Sequence, residues 1–221
     1  MNNKILEQQS FLFDIEDKTK EYKVKLIPYK DTKDLILNVH YAKRMPSISY
    51  AYGLFLNGEM VGCVTYGSPA SPRVCDGLCG KEYAKNVLEL NRLVLRSNKK
   101  NEASFLVGRS LRLLPKPKII ISYADTAQKH VGIVYQATNF IYVGLSAKRS
   151  DRIFIDGTTQ KHGRHVISTD VQDINERTII VPRPRKHRYV AFLGSRSEKK
   201  SAFNSLKYKT QDYPRKDFDF E

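Results

Sequence analysis

The stretch from Asn86 to Gly144 alternates between two kinds of apolar pattern, and this alternation restricts the folds open to the chain. Short apolar runs, typical of strands, are followed by segments whose apolar residues recur at helical spacing. The pattern predicts a strand at 87–95, a helix at 101–114, a strand at 118–125, a helix at 131–141 and a strand at 142–144. Strands that alternate with helices in this way indicate an α/β fold.

The end of the predicted strand at 118–125 is the expected place for a site. In an open α/β sheet, ligands bind beyond the carboxyl ends of the strands, where neighbouring strands diverge. Asp125 closes this apolar run, so its carboxylate is expected at that edge.

The amino-terminal part of the chain carries a strong hairpin signal. Asn57-Gly58 stands between two apolar runs, and this pair favours the tight turn of a β-hairpin. The elements predicted here are a strand at 22–29, a helix at 33–43, hairpin strands at 48–56 and 59–66, and a loop at 67–80.

A chain of 221 residues with 41% hydrophobic content is long enough for one sizeable domain. We expect an arm at 1–21, the α/β domain at 22–194, and a basic aromatic extension at 195–221 that packs on the domain. No apolar stretch approaches the roughly 20 residues that cross a bilayer, and the polar start is not a signal peptide. The cytoplasm is therefore the expected compartment, without a membrane partner.

The positive charge of the chain predicts an anionic partner. Thirty-eight Lys and Arg against 23 Asp and Glu leave a net charge of +15, which favours the capture of nucleic acid. The alternative is that the excess of positive charge serves only solubility, and the sequence does not decide between nucleic-acid binding and solubility. The residues predicted to contact nucleic acid are Lys148, Arg149, Arg152, Lys161, Arg164, Arg183, Arg185, Lys186 and Arg188.

The chain has three cysteines, Cys63, Cys75 and Cys79, and an odd number in a reducing compartment does not indicate a disulfide framework. Three thiolates completed by a histidine would hold zinc, but the spacing is loose. We expect free thiols and no metal site at these residues.

Six segments of the chain resemble a known family. The order of elements resembles the GCN5-related N-acyltransferase fold, and the segments themselves resemble the phage Mom family of DNA-modification proteins. They are HYAKRMPS (40–47), VTYGSPAS (64–71), LELNRLVL (88–95), SFLVGRSLRLL (104–114), SYADTAQKHVGIVYQATNFIYVG (122–144) and KHRYVAFLG (186–194).

The resemblance implies a central mixed β-sheet flanked by helices, in which splayed strands form the active-site cleft. It also implies an enzyme that adds a methylcarbamoyl (acetamide-type) group to adenine N6 in double-stranded phage DNA, in the host cytoplasm, and so protects that DNA from host restriction. The candidate catalytic residues that it implies are His40, Tyr41, Arg92, Ser110, Asp125 and Tyr135. Ser104 and His130 are expected to lie near these candidates because of their positions in the sequence.

Acetyl-CoA or a related acyl donor is the cofactor that the resemblance implies. The residues expected to contact it are Leu93, Val94, Asn101, Ser104 and Gly108. Acyltransferases of this fold usually carry a phosphate loop of the form Q/R-x-x-G-x-G/A, and RSNKKNEAS stands in its place without a glycine. Coenzyme A binding is therefore expected to depend on Lys99, Lys100, Asn101 and the N-terminus of the following helix. A metal such as iron stays open, as does the oligomeric state, a homodimer included.

The residues themselves leave several roles open. Asp125 is expected to be a base for the adenine amine or an N-cap of the following helix, and Tyr135 a proton donor or a core residue. Arg92 needs an anionic partner, for which a ligand phosphate or Asp125 is favoured, because Glu89 is three residues away and expected on the opposite face of the strand. His40 fits a base or a metal ligand.

Two other functions remain as alternatives. One is an N-acyltransferase for a small amine or a protein, in which the positive charge has no role. The other is a nucleic-acid-binding protein without catalytic activity on the same fold.

Overall fold

The computed structural model describes residues 22–97, 99–155 and 178–215. The predicted arm at 1–21 therefore lies outside the described residues, as do Lys161 and Arg164. The described strands are β1 Tyr22–Leu26, β2 Tyr50–Leu56, β3 Glu59–Gly67, β4 Val87–Leu95, β5 Lys118–Asp125, β6 Ile141–Leu145, β7 Arg149–Phe154, β8 Thr178–Arg183 and β9 Lys186–Leu193. The α-helices in the same ranges are α1 Pro72–Cys79, α2 Glu102–Leu113, α3 Ile133–Ala137 and α4 Arg196–Asn204.

Seven of the strands form one mixed sheet in the order β1-β2-β3-β4-β5-β9-β6, and β7 and β8 form a separate antiparallel ribbon. Within the large sheet β4 and β5 are parallel, and the other neighbouring strands are antiparallel. Helices cover both faces of this sheet, so the predicted mixed α/β architecture is confirmed. Among the described residues, no helix is both long and apolar enough to cross a membrane.

The parallel pair β4–β5 separates before either strand ends. Their pairing runs from Val87 opposite Ile119 to Leu90 opposite Ser122. Beyond this point β4 continues alongside β3, and β5 continues alongside β9. The splayed strands that the resemblance implied are therefore present, and they open a cleft at the carboxyl end of β5.

Strand β4 contains a bulge at Asn91. Leu90 lies opposite Tyr66 of β3, whereas Arg92 lies opposite Thr65, so Asn91 is an extra residue on β4. Residues on either side of the bulge that point to the α2 side of the sheet are Leu88, Leu90, Leu93 and Leu95, which all pack in one core.

The bulge changes which face each polar residue of β4 occupies. Because the extra residue shifts the alternation by one, Glu89 and Arg92 both point away from the α2 core. The expectation that they lie on opposite faces was wrong, since it assumed an uninterrupted strand.

The hairpin at Asn57-Gly58 and the predicted strands at 22–29, 87–95 and 118–125 are confirmed within a few residues. The predicted loop at 67–80 was wrong over most of its length, because it contains α1, which starts with Pro72 at a position where a proline suits a helix. The predicted helix at 33–43 reduces to a short helical segment that ends in the π-helical turn Leu35–Val39, and the one at 131–141 reduces to α3.

Candidate active site

A cavity of about 1570 Å³ occupies the splay between β4 and β5. It is lined by seven of the residues singled out from the sequence: His40, Tyr41, Arg92, Leu93, Val94, Asp125 and Tyr135. His130 also lines it. These residues come from five separate segments of the chain, so the fold brings the expected site together in one place.

Basic side chains line the same cavity from β7, β8 and β9. They are Arg149, Arg183, Lys186 and Arg188, and Arg44 and Lys129 add further positive charge. Four of the nine expected nucleic-acid contacts therefore line the cavity, while Lys148, Arg152 and Arg185 do not.

Several of these cations are bound to the protein itself. Arg183 forms an ion pair with Asp151, and Arg185 Nε donates to the Ser146 carbonyl at 2.7 Å. Arg188 donates to the carbonyls of Val143 and Leu145 at 3.2 and 3.0 Å, and its guanidinium lies 4.1 Å from the centre of the Tyr208 ring. Arg149 and Lys148 are exposed.

Asp125 lines the cavity, but each of its carboxylate oxygens already has a partner. Oδ1 accepts a hydrogen bond from the backbone N–H of Ala127 at 3.0 Å, which caps the 3-10 turn Thr126–Gln128. Oδ2 lies 2.9 Å from Lys186 Nζ. Both the expected N-cap and the cleft position are observed, and the partner of Asp125 is Lys186 rather than Arg92.

Tyr135 belongs to α3, and its ring packs against Phe140 and Tyr189 with centroid distances of 5.4 and 5.3 Å. Burial raises the pKa of Tyr135 to about 12, although a hydrogen bond with Ser122 acts in the opposite direction. The phenol is thus protonated at neutral pH, and Ser122 is the β5 residue at the last pair before the splay. A protonated phenol at this point is able to donate a hydrogen bond to a leaving group or to a developing negative charge.

His40 and Tyr41 are stacked, with ring centroids 4.3 Å apart, and Tyr41 contacts the His130 ring edge-on. Burial, Arg92 and His130 together lower the pKa of His40 to about 4, so its imidazole is neutral at pH 7. Nδ1 accepts a hydrogen bond from the Ala42 N–H at 3.0 Å, which assigns the proton to Nε2. In this tautomer Nε2 is a donor, which does not suit the expected roles of base or metal ligand.

Arg92 holds the segment that carries the His40–Tyr41 pair. Its Nε and one terminal nitrogen both donate to the Arg44 carbonyl, at 3.3 and 2.9 Å, and the other terminal nitrogen donates to the Asn91 carbonyl at 2.6 Å. The expected pairing of Arg92 with Asp125 was wrong. The guanidinium instead fixes the backbone of residues 40–44 against β4.

Ser110 does not line the cavity. It is fully buried in α2, its hydroxyl lies 2.6 Å from the Tyr66 hydroxyl, and it donates to the Val107 carbonyl at 2.9 Å. These contacts place it in the core, which does not fit the catalytic role that the resemblance implied.

The expected cofactor contacts divide into two groups. Leu93 and Val94 line the cavity, whereas Asn101, Ser104 and Gly108 do not. Asn101 has a positive φ of 68° and makes no side-chain cap of α2, and Ser104 Oγ donates back to the Asn101 carbonyl at 3.1 Å. A Cβ at Gly108 would meet only Thr138 at 3.9 Å, so no close approach requires a glycine there.

Glu89 is a cleft residue that the sequence did not single out as functional. Its carboxylate lines the cavity one residue before the last β4–β5 pair. A hydrogen bond from the Ala70 backbone N–H and the positive charges of Arg92 and Lys186 all lower its pKa. Burial has the larger effect, and the net pKa of Glu89 is raised. The sequence contained a signal for this residue. Glu89 is a carboxylate inside the apolar strand VLELNRLVL, and because a buried charge is costly, such a residue often belongs to a functional site.

Tyr123 of β5 also lines this part of the cavity. Burial and the nearby Glu89 carboxylate both raise its pKa, so its phenol stays protonated. Glu89 therefore lines the cavity together with the aromatic side chains of Tyr123 and Tyr208, a composition suited to a flat base that carries an amino group.

In the described ranges 22–97, 99–155 and 178–215, no three His, Cys, Asp or Glu side chains are grouped so that they could hold a metal ion. Cys63, Cys75 and Cys79 are free thiols. Burial raises the pKa of Cys63 to about 12 and that of Cys79 to about 11, so neither is a reactive thiolate at neutral pH.

Comparison with known proteins gives matches of two kinds. The profile of the Mom protein family matches residues 21–215. The chain is 26% identical over 212 residues to the methylcarbamoylase mom of Escherichia phage Mu, and the alignment covers 89% of this chain and 85% of the relative. The family match spans every strand and helix of the described fold.

Two solved structures illustrate the structural matches. A Bacillus subtilis acetyltransferase in complex with CoA has a TM-score of 0.44 and 14% identity, covering 78% of this chain and 99% of the other. An N-acetyltransferase from Staphylococcus aureus Mu50 also has a TM-score of 0.44, with 13% identity and the same coverage.

Proposed function

Because the chain belongs to the Mom protein family, we propose that it is a transferase that places a methylcarbamoyl group on N6 of adenine in DNA. The observation that supports this proposal most directly is the Glu89 carboxylate in the splay between β4 and β5. This carboxylate lies among aromatic side chains and near the basic side chains that line the cavity. The proposed reaction needs a proton acceptor for the adenine amine at a site that also binds the DNA polyanion.

Adenine N6 is a weak nucleophile, because its lone pair is delocalised into the ring. Transfer requires a group that accepts the amine proton while the new bond forms. In the proposed reaction, N6 attacks the donor carbon, the bond from that carbon to its leaving group breaks, and the leaving group takes the bonding electrons. One proton passes from N6 to Glu89 and then to the leaving group or to water.

Glu89 fits the role of the base better than Asp125 does. Its raised pKa makes the carboxylate a stronger proton acceptor, and burial is the cause of that rise. Both carboxylates accept a backbone N–H, but Asp125 is also ion-paired with Lys186, so we assign it to orienting the Lys186 ammonium at the cavity wall. Tyr135 is assigned to donate a hydrogen bond where charge develops on the donor.

Double-stranded DNA is the proposed acceptor. A duplex buries adenine N6 in the base stack, so the base has to turn outward at a cost of a few kcal/mol before it enters the cavity. Exposed cations such as Arg149 and Lys148 are in position to contact the flanking phosphates.

The proposed donor is an electrophilic carrier of the methylcarbamoyl group, and a relative of acetyl-CoA remains the expectation. Its reactive end would lie against Leu93 and Val94, which line the cavity beyond the splay. The proposed biological role is protection of phage DNA from restriction in the host cytoplasm.

The test is to express the chain in bacteria, digest the DNA to nucleosides and measure their masses. The proposal predicts a deoxyadenosine in which a methylcarbamoyl group replaces one hydrogen on N6, absent from cells that lack the protein. Unmodified nucleosides together with salt-sensitive DNA binding would favour the binding-protein alternative. Unmodified nucleosides with no DNA binding would favour the small-amine acyltransferase.

A further inference from the structure

Glu102, the first residue of α2, is a buried carboxylate at a helix N-terminus, with 3% of its surface exposed. Its oxygens accept three kinds of hydrogen bond. Tyr22 OH donates at 2.6 Å, Ser97 Oγ lies 2.9 and 3.1 Å from the two oxygens, and the backbone N–H of Lys99 donates at 2.9 Å.

The turn before α2 is built around this carboxylate. The Lys99 N–H donates to Glu102 Oε2, and in return the Glu102 N–H donates to the Lys99 carbonyl at 3.3 Å. The two residues therefore close the turn on itself. The hydroxyl of Ser97 and the phenol of Tyr22, which comes from strand β1, complete the set of donors.

A helix N-terminus with free N–H groups attracts anions, and loops that hold a diphosphate present such groups to the ligand. Here three donors before the start of α2, the Tyr22 phenol, the Ser97 hydroxyl and the Lys99 N–H, are used by a carboxylate of the chain itself. Although burial acts against ionisation, the bonds from Tyr22, Ser97 and Lys99 lower the pKa of Glu102 overall. A second anion at this turn would lose those donors and meet a negative charge.

We infer that Glu102 occupies the anion position of the α2 turn, so that a nucleotide diphosphate such as that of coenzyme A gains no affinity there. The inference rests on the proposed function only in that it concerns the donor of that reaction. The donor class is then a carrier recognised through the arm that enters the β4–β5 splay, where Leu93 and Val94 line the cavity. The donor therefore binds without help from an adenosine diphosphate group such as that of coenzyme A.

The test compares coenzyme A with pantetheine, which shares the arm but lacks the nucleotide diphosphate. Calorimetric titration of the wild-type protein is expected to give dissociation constants within about threefold of each other. Wild-type protein that binds neither compound would overturn the assignment of a carrier recognised through this arm. Coenzyme A that binds at least about tenfold tighter than pantetheine would overturn the inference.

A second measurement follows the backbone amide of Lys99 by NMR during titration with inorganic pyrophosphate. The wild-type amide is expected to show no saturable shift, because its N–H is bonded to Glu102. Glu102→Ser removes the carboxylate and is expected to produce such a shift, whereas Glu59→Ser at the exposed first residue of β3 is not. A folded Glu102→Ser protein whose Lys99 amide still shows no saturable shift with pyrophosphate would overturn the inference.

If Glu102→Ser does not fold, the wild-type titrations decide the matter alone. None of these measurements uses DNA, so their outcome is independent of whether adenine is modified. Failure of the donor inference and failure of the proposed function are therefore distinguishable.

Discussion

Glu89 and Arg92 lie on the same face of β4, on either side of the bulge at Asn91, and each shifts the pKa of the other. Arg92 lowers the pKa of Glu89 and Glu89 raises that of Arg92, although burial has the larger effect on both. The bulge thus sets a carboxylate and a guanidinium side by side at the splay. The guanidinium is anchored to backbone carbonyls, and the carboxylate accepts a hydrogen bond from the backbone N–H of Ala70.

Arg92→Lys is expected to loosen the segment that carries His40 and Tyr41. A lysine ammonium cannot donate in one plane to both the Arg44 and Asn91 carbonyls, so the free energy of unfolding should fall by about 1–3 kcal/mol. Urea denaturation measures this change. Arg44→Ala is the matched control, because it removes an exposed side chain and keeps the carbonyl; an equal loss in the control would contradict the assignment.

Ser110→Ala is expected to reduce stability and to leave the activity of the folded protein unchanged. The change leaves the buried Tyr66 hydroxyl without its 2.6 Å partner, which costs about 1–3 kcal/mol. Denaturation and activity per folded molecule measure the two effects. A stable Ser110→Ala protein that has lost activity would restore the catalytic role for this serine.

A double-mutant cycle checks the same contact. If Ser110 and Tyr66 act mainly on each other, then Tyr66→Phe combined with Ser110→Ala should destabilise the protein by less than the sum of the single changes. Strict additivity would contradict the pairing.

His40 is expected to titrate near pH 4 rather than near its ordinary pKa of 6.5, because burial disfavours the charged imidazole. A histidine with a lowered pKa binds its proton more weakly in the folded chain than in the unfolded chain. Its contribution to stability is therefore present above pH 6.5 and is lost as the pH falls from about 6.5 toward 4. Ring NMR shifts measure the titration, and a midpoint above pH 6 would contradict this environment.

DNA binding is expected to weaken steeply as the salt concentration rises. Arg149→Ala should reduce the slope of log affinity against log salt by about 1, because one phosphate contact is lost. Lys116→Ala is the control, since Lys116 precedes β5 at the end of the strand opposite the cavity. If Arg149→Ala leaves this slope unchanged, or if Lys116→Ala changes it equally, then Arg149 does not contact a DNA phosphate.

Local patterns in the sequence predicted much of the fold. The Asn57-Gly58 turn and the apolar runs of β4 and β5 depend on nearby residues, and each appears within a few residues of its expected position. The site at the end of β5 also followed from local information, because Asp125 closes an apolar run. Local signals therefore sufficed wherever neighbouring residues determine the structure.

Features that depend on distant partners were not accessible in the same way. The bulge at Asn91 is defined by the register against β3, which no pattern within β4 reveals, so the position of Glu89 beside Arg92 was missed. Ser110 is polar and buried, and only its contact with Tyr66 separates a core serine from a catalytic one. Glu102 depends on Tyr22, 80 residues away in the chain.

The central claim is that Glu89 accepts a proton from adenine N6. The most direct measurement is the mass of nucleosides from DNA of cells that express Glu89→Gln, with Glu59→Gln as the exposed control. The Glu89→Gln protein is expected to fold, with an unchanged or higher melting temperature because an unfavourable buried charge is removed, and to yield no modified deoxyadenosine. Wild-type levels of modified deoxyadenosine from Glu89→Gln would contradict the central claim.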